Sequence, residues 1–389
     1  MQRRKMNSTI RCVVACLAAL ATEASMGQVF DSGSDETFGA ILVASGETLT
    51  LDMEALGILD GIFNATTITV ESTGVLQFAR NPLNTPVYLL ATGDITVDGT
   101  IHVNGKNGSS NPPIGGAGGP GGFDGGTPGF GASVPPGAGL GPGAGLGGGG
   151  NAGYGSSLGG ANDGPAYGSP LLVPLAGGSG GGGTAGQPGT GGDGGGGGLL
   201  LASNTLVHVS GTVQSLGGIH SCGAVSAGSG GGIRIVAPIV SGSGTVDVRA
   251  ALCTSRAAGR IRIDVIDRSE LTLSFDPLSQ TSVGTFMAVF NDVTPRLDIT
   301  EAAGTMIPVG TPDPVFITLP FGSSPDRQVT IQGTDFTGVV PISVVLTPES
   351  GDPIVMDTDL DMSGGNPSSV TVDVTLPVNT LIHVNAWTR

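Results

Sequence analysis

The stretch Pro86–Gly105, PVYLLATGDITVDGTIHVNG, decides the fold, because the chain returns to it twice. Leu199–Gly218 reads LLLASNTLVHVSGTVQSLGG, and Ile233–Ala250 reads IRIVAPIVSGSGTVDVRA. Aligned on the Gly-Thr pair, Gly99-Thr100-Ile101 matches Gly211-Thr212-Val213 and Gly244-Thr245-Val246. An alternating apolar run precedes each pair, as in Ile95-Thr96-Val97 or Val207-His208-Val209, and a second run follows it. A looser copy goes from Ile68-Thr69-Val70 through Gly74 to Leu76-Gln77-Phe78. Self-similarity at the length of one coil is the mark of a stacked-repeat architecture. Strand side chains alternate between faces. Ile95, Val97, Ile101 and Val103 are therefore expected to point into the stack, and Thr96, Asp98, His102 and Asn104 out of it. Gly99 marks the bend between two strands, where a missing Cβ allows close backbone approach.

Working outward, 71 glycines and 26 prolines in 389 residues, with 12% charged and 39% hydrophobic residues, suit β structure broken by turns. Residues 1–27 read as a secretory signal: Arg3, Arg4 and Lys5 precede the apolar run Cys12–Ala21, and Ser25-Met26-Gly27 precedes a cut before Gln28. An alternative reading makes Cys16 an acylation site. The apolar run is too short to span a bilayer. Removing residues 1–27 takes away Arg3, Arg4, Lys5, Arg11 and Glu23, which moves the formal charge from −16 to −19. That balance opposes nucleic-acid binding, since Lys106 is the only lysine left. The expected location is secreted or cell-surface, extracellular or periplasmic, with no transmembrane helix in the mature chain.

The expected organisation follows in order. Residues 28–66 form an N-terminal cap with the first strands, and 67–105 hold repeat coils. Residues 106–198, with 41 of the glycines, form a long inserted loop. No strict Gly-X-Y register holds there, which excludes a collagen triple helix. Leu171-Leu172-Val173-Pro174-Leu175 is the expected anchor of that loop. Coils resume over 199–276, and 277–310 serve as C-terminal cap and linker. From 311 to 389 short apolar runs separated by Pro, Gly and Asp turns, beginning with Phe316-Ile317-Thr318-Leu319, read as a small β-sandwich.

The coils resemble right-handed parallel β-helices of the pectin-lyase-like type, and in particular glycine-rich secreted surface proteins of environmental bacteria. Gly232-Ile233-Arg234-Ile235-Val236-Ala237 and Gly242-Ser243-Gly244-Thr245-Val246 carry the likeness. Val329–Phe336 (VTIQGTDF) is similar to the opening strand of IPT/TIG immunoglobulin-like domains. The resemblance implies an all-β chain: a parallel β-helix solenoid, interrupted by the glycine-rich insertion and followed by a sandwich. It implies no particular activity.

Chemistry is sparse. Enzymes of the pectate-lyase and polygalacturonase type gather Asp on one outward face. Here Asp94, Asp98, Asp247 and Asp264 are outward, but Ser210 and Ser243 take the positions equivalent to Asp98, so no carboxylate stack forms. His102, His208, His220 and His383 are scattered. Arg234, Arg260 and Arg262 are expected outward, as solvated partners of nearby Asp. Asp357, Asp359 and Asp361 are similar to the start of a calcium loop, with Met362 where Gly is needed and Ser368 where Glu is needed. They are the calcium candidates, and no catalytic or other cofactor residue is assigned. Cys222 and Cys253 fall at near-equivalent turns of successive coils, and stacked strands lie about 4.8 Å apart. A disulfide between them is expected in an exported protein. The leading expectation is a non-enzymatic structural or adhesion protein, with matrix, glycan or envelope components as partners. The alternatives are a polysaccharide lyase or hydrolase, or a carbohydrate-binding module.

Overall fold

The computed structural model describes residues 30–218, 226–250, 257–291, 293–311 and 314–389. The described chain is all-β, with a single 3-10 turn at Leu278–Gln280 as its only helical element. Strands β1 (Gly39–Val43), β2 (Thr48–Asp52), β3 (Ile62–Val70), β4 (Val75–Ala79), β5 (Val87–Ala91), β6 (Ile95–Val97) and β7 (Thr100–His102) precede the glycine block. The block opens on a small hairpin, β8 (Ser109–Ser110) and β9 (Pro113–Ile114). After it come β10 (Gly198–Ser203), β11 (Leu206–Val209), β12 (Thr212–Gln214), β13 (Gly232–Ser241), β14 (Thr245–Asp247), β15 (Arg260–Asp267), β16 (Ser274–Asp276) and β17 (Thr281–Gly284).

These strands pair in parallel, rung on rung, in three columns. The first runs from the opening half of β3 through β5, β10, the opening half of β13, and β15 to β17. In the second, β1 pairs the closing half of β3, followed by β6, β11 and the closing half of β13. The third is the six-stranded sheet β2, β4, β7, β12, β14, β16. The long strands β3 and β13 each serve two columns, which joins the first two into one nine-stranded sheet. The repeat alignment is also the pairing register. Ile68, Ile95, Val207 and Val240 stack in one column, and Leu76, Ile101, Val213, Val246 and Phe275 in another. Ile95, Val97, Ile101 and Val103 are buried as expected, in one apolar core that extends from Ile41 to Leu273.

Gly74, Gly99, Gly211 and Gly244 lie above one another. A Cβ on Gly99 would run into the carbonyl of Gly74, one on Gly211 into that of Gly99, and one on Gly244 into that of Gly211. The same carbonyls accept from the next rung: Thr100 N to Gly74 O at 2.8 Å, Thr212 N to Gly99 O at 2.8 Å, Thr245 N to Gly211 O at 2.9 Å. Glycine at the bend is thus a requirement of stacking distance.

Residues 106–198 do not form an irregular loop. Their extended segments hydrogen-bond to several neighbours with a period of three residues. In Gly191–Gly198, the amides of 191, 194 and 197 donate to Ser109, Lys106 and Val103. Those of 192, 195 and 198 donate to Gly126, Phe123 and Pro120, and those of 193 and 196 to Ser226 and Ser229. Each residue therefore turns about one third of a revolution, the geometry of a polyproline-II helix, which makes no internal hydrogen bonds and so leaves its amides and carbonyls to neighbouring segments. Two neighbours run antiparallel to this segment and one parallel. All three faces of the helix meet backbone, so glycine is needed at nearly every position and no Gly-X-Y register appears. Residues 191–198 are buried throughout.

The C-terminal part holds two antiparallel sheets. One orders β19 (Thr305–Met306), β18 (Arg296–Ala302), β20 (Asp326–Thr334) and β23 (Ser368–Thr375); the other orders β22 (Ile354–Asp361), β21 (Val339–Pro348) and β24 (Ile382–Thr388). They share a core that includes Val329, Ile331, Ile342, Val344, Leu346, Leu360 and Val372. Phe316–Leu319, expected as a strand, lies in none.

Adding a methyl group tests the close approaches. Gly211→Ala and Gly195→Ala are expected to lower stability by about 1–3 kcal/mol through overpacking. Gly364→Ala, where a Cβ would meet nothing within 4 Å, should stay within about 0.5 kcal/mol. Guanidinium unfolding midpoints of the three variants decide it.

Candidate functional site

The densest concentration of polar chemistry lies on the outward side of the first column, and it is buried. β10 reads GLLLAS, a continuous apolar run without alternation, as a strand covered on both faces requires. Its outward side chains, Leu200 and Ala202, join Phe30, Leu90, Val236, Tyr154, Leu172 and Leu175 in a second apolar cluster. Leu172 and Leu175 belong to the segment expected to anchor the glycine block, and they do so here. Tyr154 Oη donates to Ala176 O at 3.0 Å and Tyr167 Oη to Gly177 O at 2.6 Å. Burial pushes both phenols well above their usual range.

Beside this cluster Arg234 is fully buried, contrary to the expectation of a solvated outward charge. Its Nη2 lies 3.0 Å from Asp264 Oδ2, and Asp264 Oδ1 takes Arg262 Nη2 at 2.6 Å. Arg234 Nη2 also donates to Phe286 O and Ala288 O, both at 2.8 Å, while Phe286 N donates to Asp264 Oδ1 at 2.9 Å. The guanidinium carbon lies 5.3 Å from the Phe286 ring centre. The chain after β17 thus straps over the pair and removes it from water. Desolvation lowers the Arg234 pKa, with Asp264 opposing the shift. Arg260, also expected outward, donates to Tyr167 O at 2.9 Å and stands over the Tyr154 ring.

The third column presents a different surface. Thr50, Gln77, His102, Gln214, Asp247 and Asp276 stack on its outward side, beside Thr100, Thr212, Thr245 and Ser274. Asp247 is buried against Arg249, which also reaches Asp276 at 3.1 Å. The Asp247 hydrogen bond raises the Arg249 pKa. His102, half-buried between Gln77 and Gln214, is held below the ordinary imidazole value by desolvation first and by Lys106 second.

The remaining sequence candidates are dispersed. Asp94 accepts from Thr205 and Asp98 from Ser210, each one rung away in the second column. His208 Nδ1 lies 2.9 Å from Ser241 Oγ, in that same column. His383 is exposed on β24. Asp357, Asp359 and Asp361 alternate along the outward face of β22 at about 6.7 Å per pair of residues. Asp357 pairs with Arg389 at 3.1 Å and accepts from Ser343 at 2.6 Å, and Asp361 accepts from Ser363 N. Among the described residues no group of three or more His, Cys, Asp or Glu is placed to hold a metal ion. Cys222, Cys253 and His220 lie outside the described residues, as does the segment 1–29. Among the described residues no helix is long and apolar enough to cross a membrane. No protein-family model matches the chain, and neither a curated protein nor a solved structure matches it.

The burial of the Arg234–Asp264 pair was invisible to strand alternation, because the covering strap comes from residues 285–291. One signal did exist: Asp264 aligns with Val236 and Arg262 with Arg234 in adjacent rungs, which sets an acid diagonally beside two guanidiniums.

Two measurements follow. Asp264→Asn leaves Arg234 charged and unpaired in a dry site, so it is expected to cost about 3–5 kcal/mol. The double change Arg234→Met with Asp264→Leu should cost clearly less than the two single changes added together. For His102, the folded pKa lies below the unfolded value of about 6.5, so the unfolded chain takes up its proton first as pH falls. Stability is therefore expected to drop below about pH 6.5, and His102→Gln should flatten that part of a pH–stability curve.

Proposed function

We propose that this chain is a non-enzymatic exported scaffold, a structural or adhesive component of the cell surface. Its frame on this reading is a right-handed parallel β-helix of the pectin-lyase-like type, carrying a C-terminal β-sandwich. One observation carries the reading. The acids nearest to catalytic chemistry are engaged in holding segments together: Asp264 with Arg234 and Arg262, Asp247 with Arg249, and Asp124 with Arg80 at 2.5 Å. Asp124 lies in the glycine block and Arg80 just after β4, so even a half-exposed pair serves to fasten the block to the ladder. The signal-like residues 1–27 and the acidic balance support export. A second reading, a glycan-binding face, is favoured by the stacked Thr, Gln and His side chains of the third column.

Incubation of residues 28–389 with a panel of acidic and neutral polysaccharides is expected to release neither reducing ends nor unsaturated products. Turnover of any of them would sink the scaffold reading. Retention of a glycan without turnover that is lost in a Gln77→Ala, Gln214→Ala variant would establish the second. The disulfide is proposed on the same footing. Gly217 N donates to Arg249 O at 3.1 Å, and Gly230 N to Ala257 O at 3.1 Å, so residues flanking the two cysteines occupy adjacent rungs. Peptide mapping without reductant is expected to recover Cys222 linked to Cys253; free thiols at both would refute it.

A further inference from the structure

Among the described residues Arg234 alone of the arginines is fully buried, and its hydrogen bonds are unevenly shared. Nε and Nη2 both donate to Asp264 Oδ2, at 3.2 and 3.0 Å, and Nη2 also faces the Phe286 and Ala288 carbonyls. Nη1 carries two hydrogens of its own. It is buried and has no hydrogen-bond partner among the described residues. Buried polar groups are seldom left so. Asp264 has nothing more to give it. Its carboxylate already takes Nε and Nη2 of Arg234, Nε and Nη2 of Arg262 and the Phe286 amide, which fills the roughly four lone-pair sites it offers.

Charge is out of balance in the same place. Arg234 and Arg262 share the one carboxylate of Asp264, and Arg260 adds a third guanidinium at the start of β15. This surplus of positive charge sits under an apolar strap, in a chain whose formal charge is −16. A buried charge without a counter-charge is costly. A second donor stands in the same outward row, where Tyr88, Leu200, Arg234 and Arg262 stack rung on rung. The Tyr88 ring packs against Phe290 of the strap at 5.3 Å. Burial raises its phenol and the Arg234 charge pulls it back, so hydroxyl and guanidinium are within electrostatic reach.

We propose that Arg234 Nη1, with the Tyr88 hydroxyl as second donor, holds a monovalent inorganic anion of halide size. A water molecule brings no charge, and its own hydrogens would need acceptors that are already engaged. A phosphate or sulfate needs donors on several sides, whereas Leu200, Phe286 and Phe290 make these walls apolar. A halide takes few donors and neutralises the surplus. The site stands apart from the scaffold reading and neither needs it nor bears on it.

Urea unfolding of residues 28–389 at constant ionic strength, with sodium chloride replacing sodium gluconate, tests it. An anion that binds only the folded state raises the midpoint once its concentration exceeds its dissociation constant. Wild type is expected to show that rise with chloride and with bromide, relative to the bulky gluconate. Tyr88→Phe should weaken the apparent chloride affinity on the order of tenfold, as loss of one hydrogen bond to a charged group does. Its midpoint in gluconate should stay close to that of wild type. Arg234→Met with Asp264→Leu should abolish the response to chloride, and if that variant does not fold, Tyr88→Phe decides alone. Equal midpoints in chloride and gluconate overturn the proposal. So does wild-type chloride affinity in Tyr88→Phe, and so does an undiminished response in the double variant, which would make chloride an adventitious ion only.

Discussion

Everything in the parallel half depends on backbone approaching backbone more closely than a side chain allows. At the bends, the carbonyl of one glycine occupies the space where the Cβ of the next would be, through Gly74, Gly99, Gly211 and Gly244. In the glycine block the same condition holds along whole segments, because a three-per-turn helix meets neighbours on every face. An unpaired amide buried in such a place would cost about 1–3 kcal/mol. In Gly191–Gly198 each amide finds a carbonyl. Glycine costs conformational entropy on ordering, and dense hydrogen bonding of this kind offsets it where a side-chain core is missing.

Close backbone packing also dictates where side chains are concentrated. A bundle of glycine helices has little apolar area to bury, so it is held to the ladder by a few large groups at its margin. Tyr154, Tyr167, Leu172 and Leu175 fill the outer face of β10 and β13, and Asp124 of the block pairs with Arg80. The block also meets the C-terminal sheets: Ser350 Oγ donates to Pro135 O at 2.8 Å, and Phe123 stands edge-on to Trp387 at 6.0 Å. The buried Arg234–Asp264 pair belongs to the same logic. A strap with backbone carbonyls aimed at a guanidinium needs a charge beneath it, and Asp264 offsets the desolvation of that charge. Pairs of this kind add little net stability but are costly to break singly, which suits a device that fixes one arrangement of the strap.

Much of the ladder was legible in the sequence, because the Gly-Thr pairs and the alternating Ile and Val residues are local signals that repeat. The register Ile101 to Val213 to Val246 could be read from alignment alone, across an interruption of nearly a hundred residues. The glycine block was not legible. Its order lies in which distant segment each amide meets, and Gly192 and Gly195 look alike in sequence whichever neighbour they face. Arg234 escaped for a related reason: alternation places it outward correctly, but only the strap from residues 285–291 makes outward mean buried. Phe316–Leu319 escaped in the opposite sense, having the composition of a strand without an edge to join.

That last mismatch carries the most weight for what the molecule does. Within the ladder local preference and tertiary structure agree: the alternating Ile and Val residues are buried, and glycine at the bends sits where no Cβ fits. Chains that are locally consistent depart from that consistency chiefly at functional places. Here the departure is a neutral, aromatic, strand-forming segment with nothing to pair with, on a protein whose formal charge of −16 otherwise keeps copies apart.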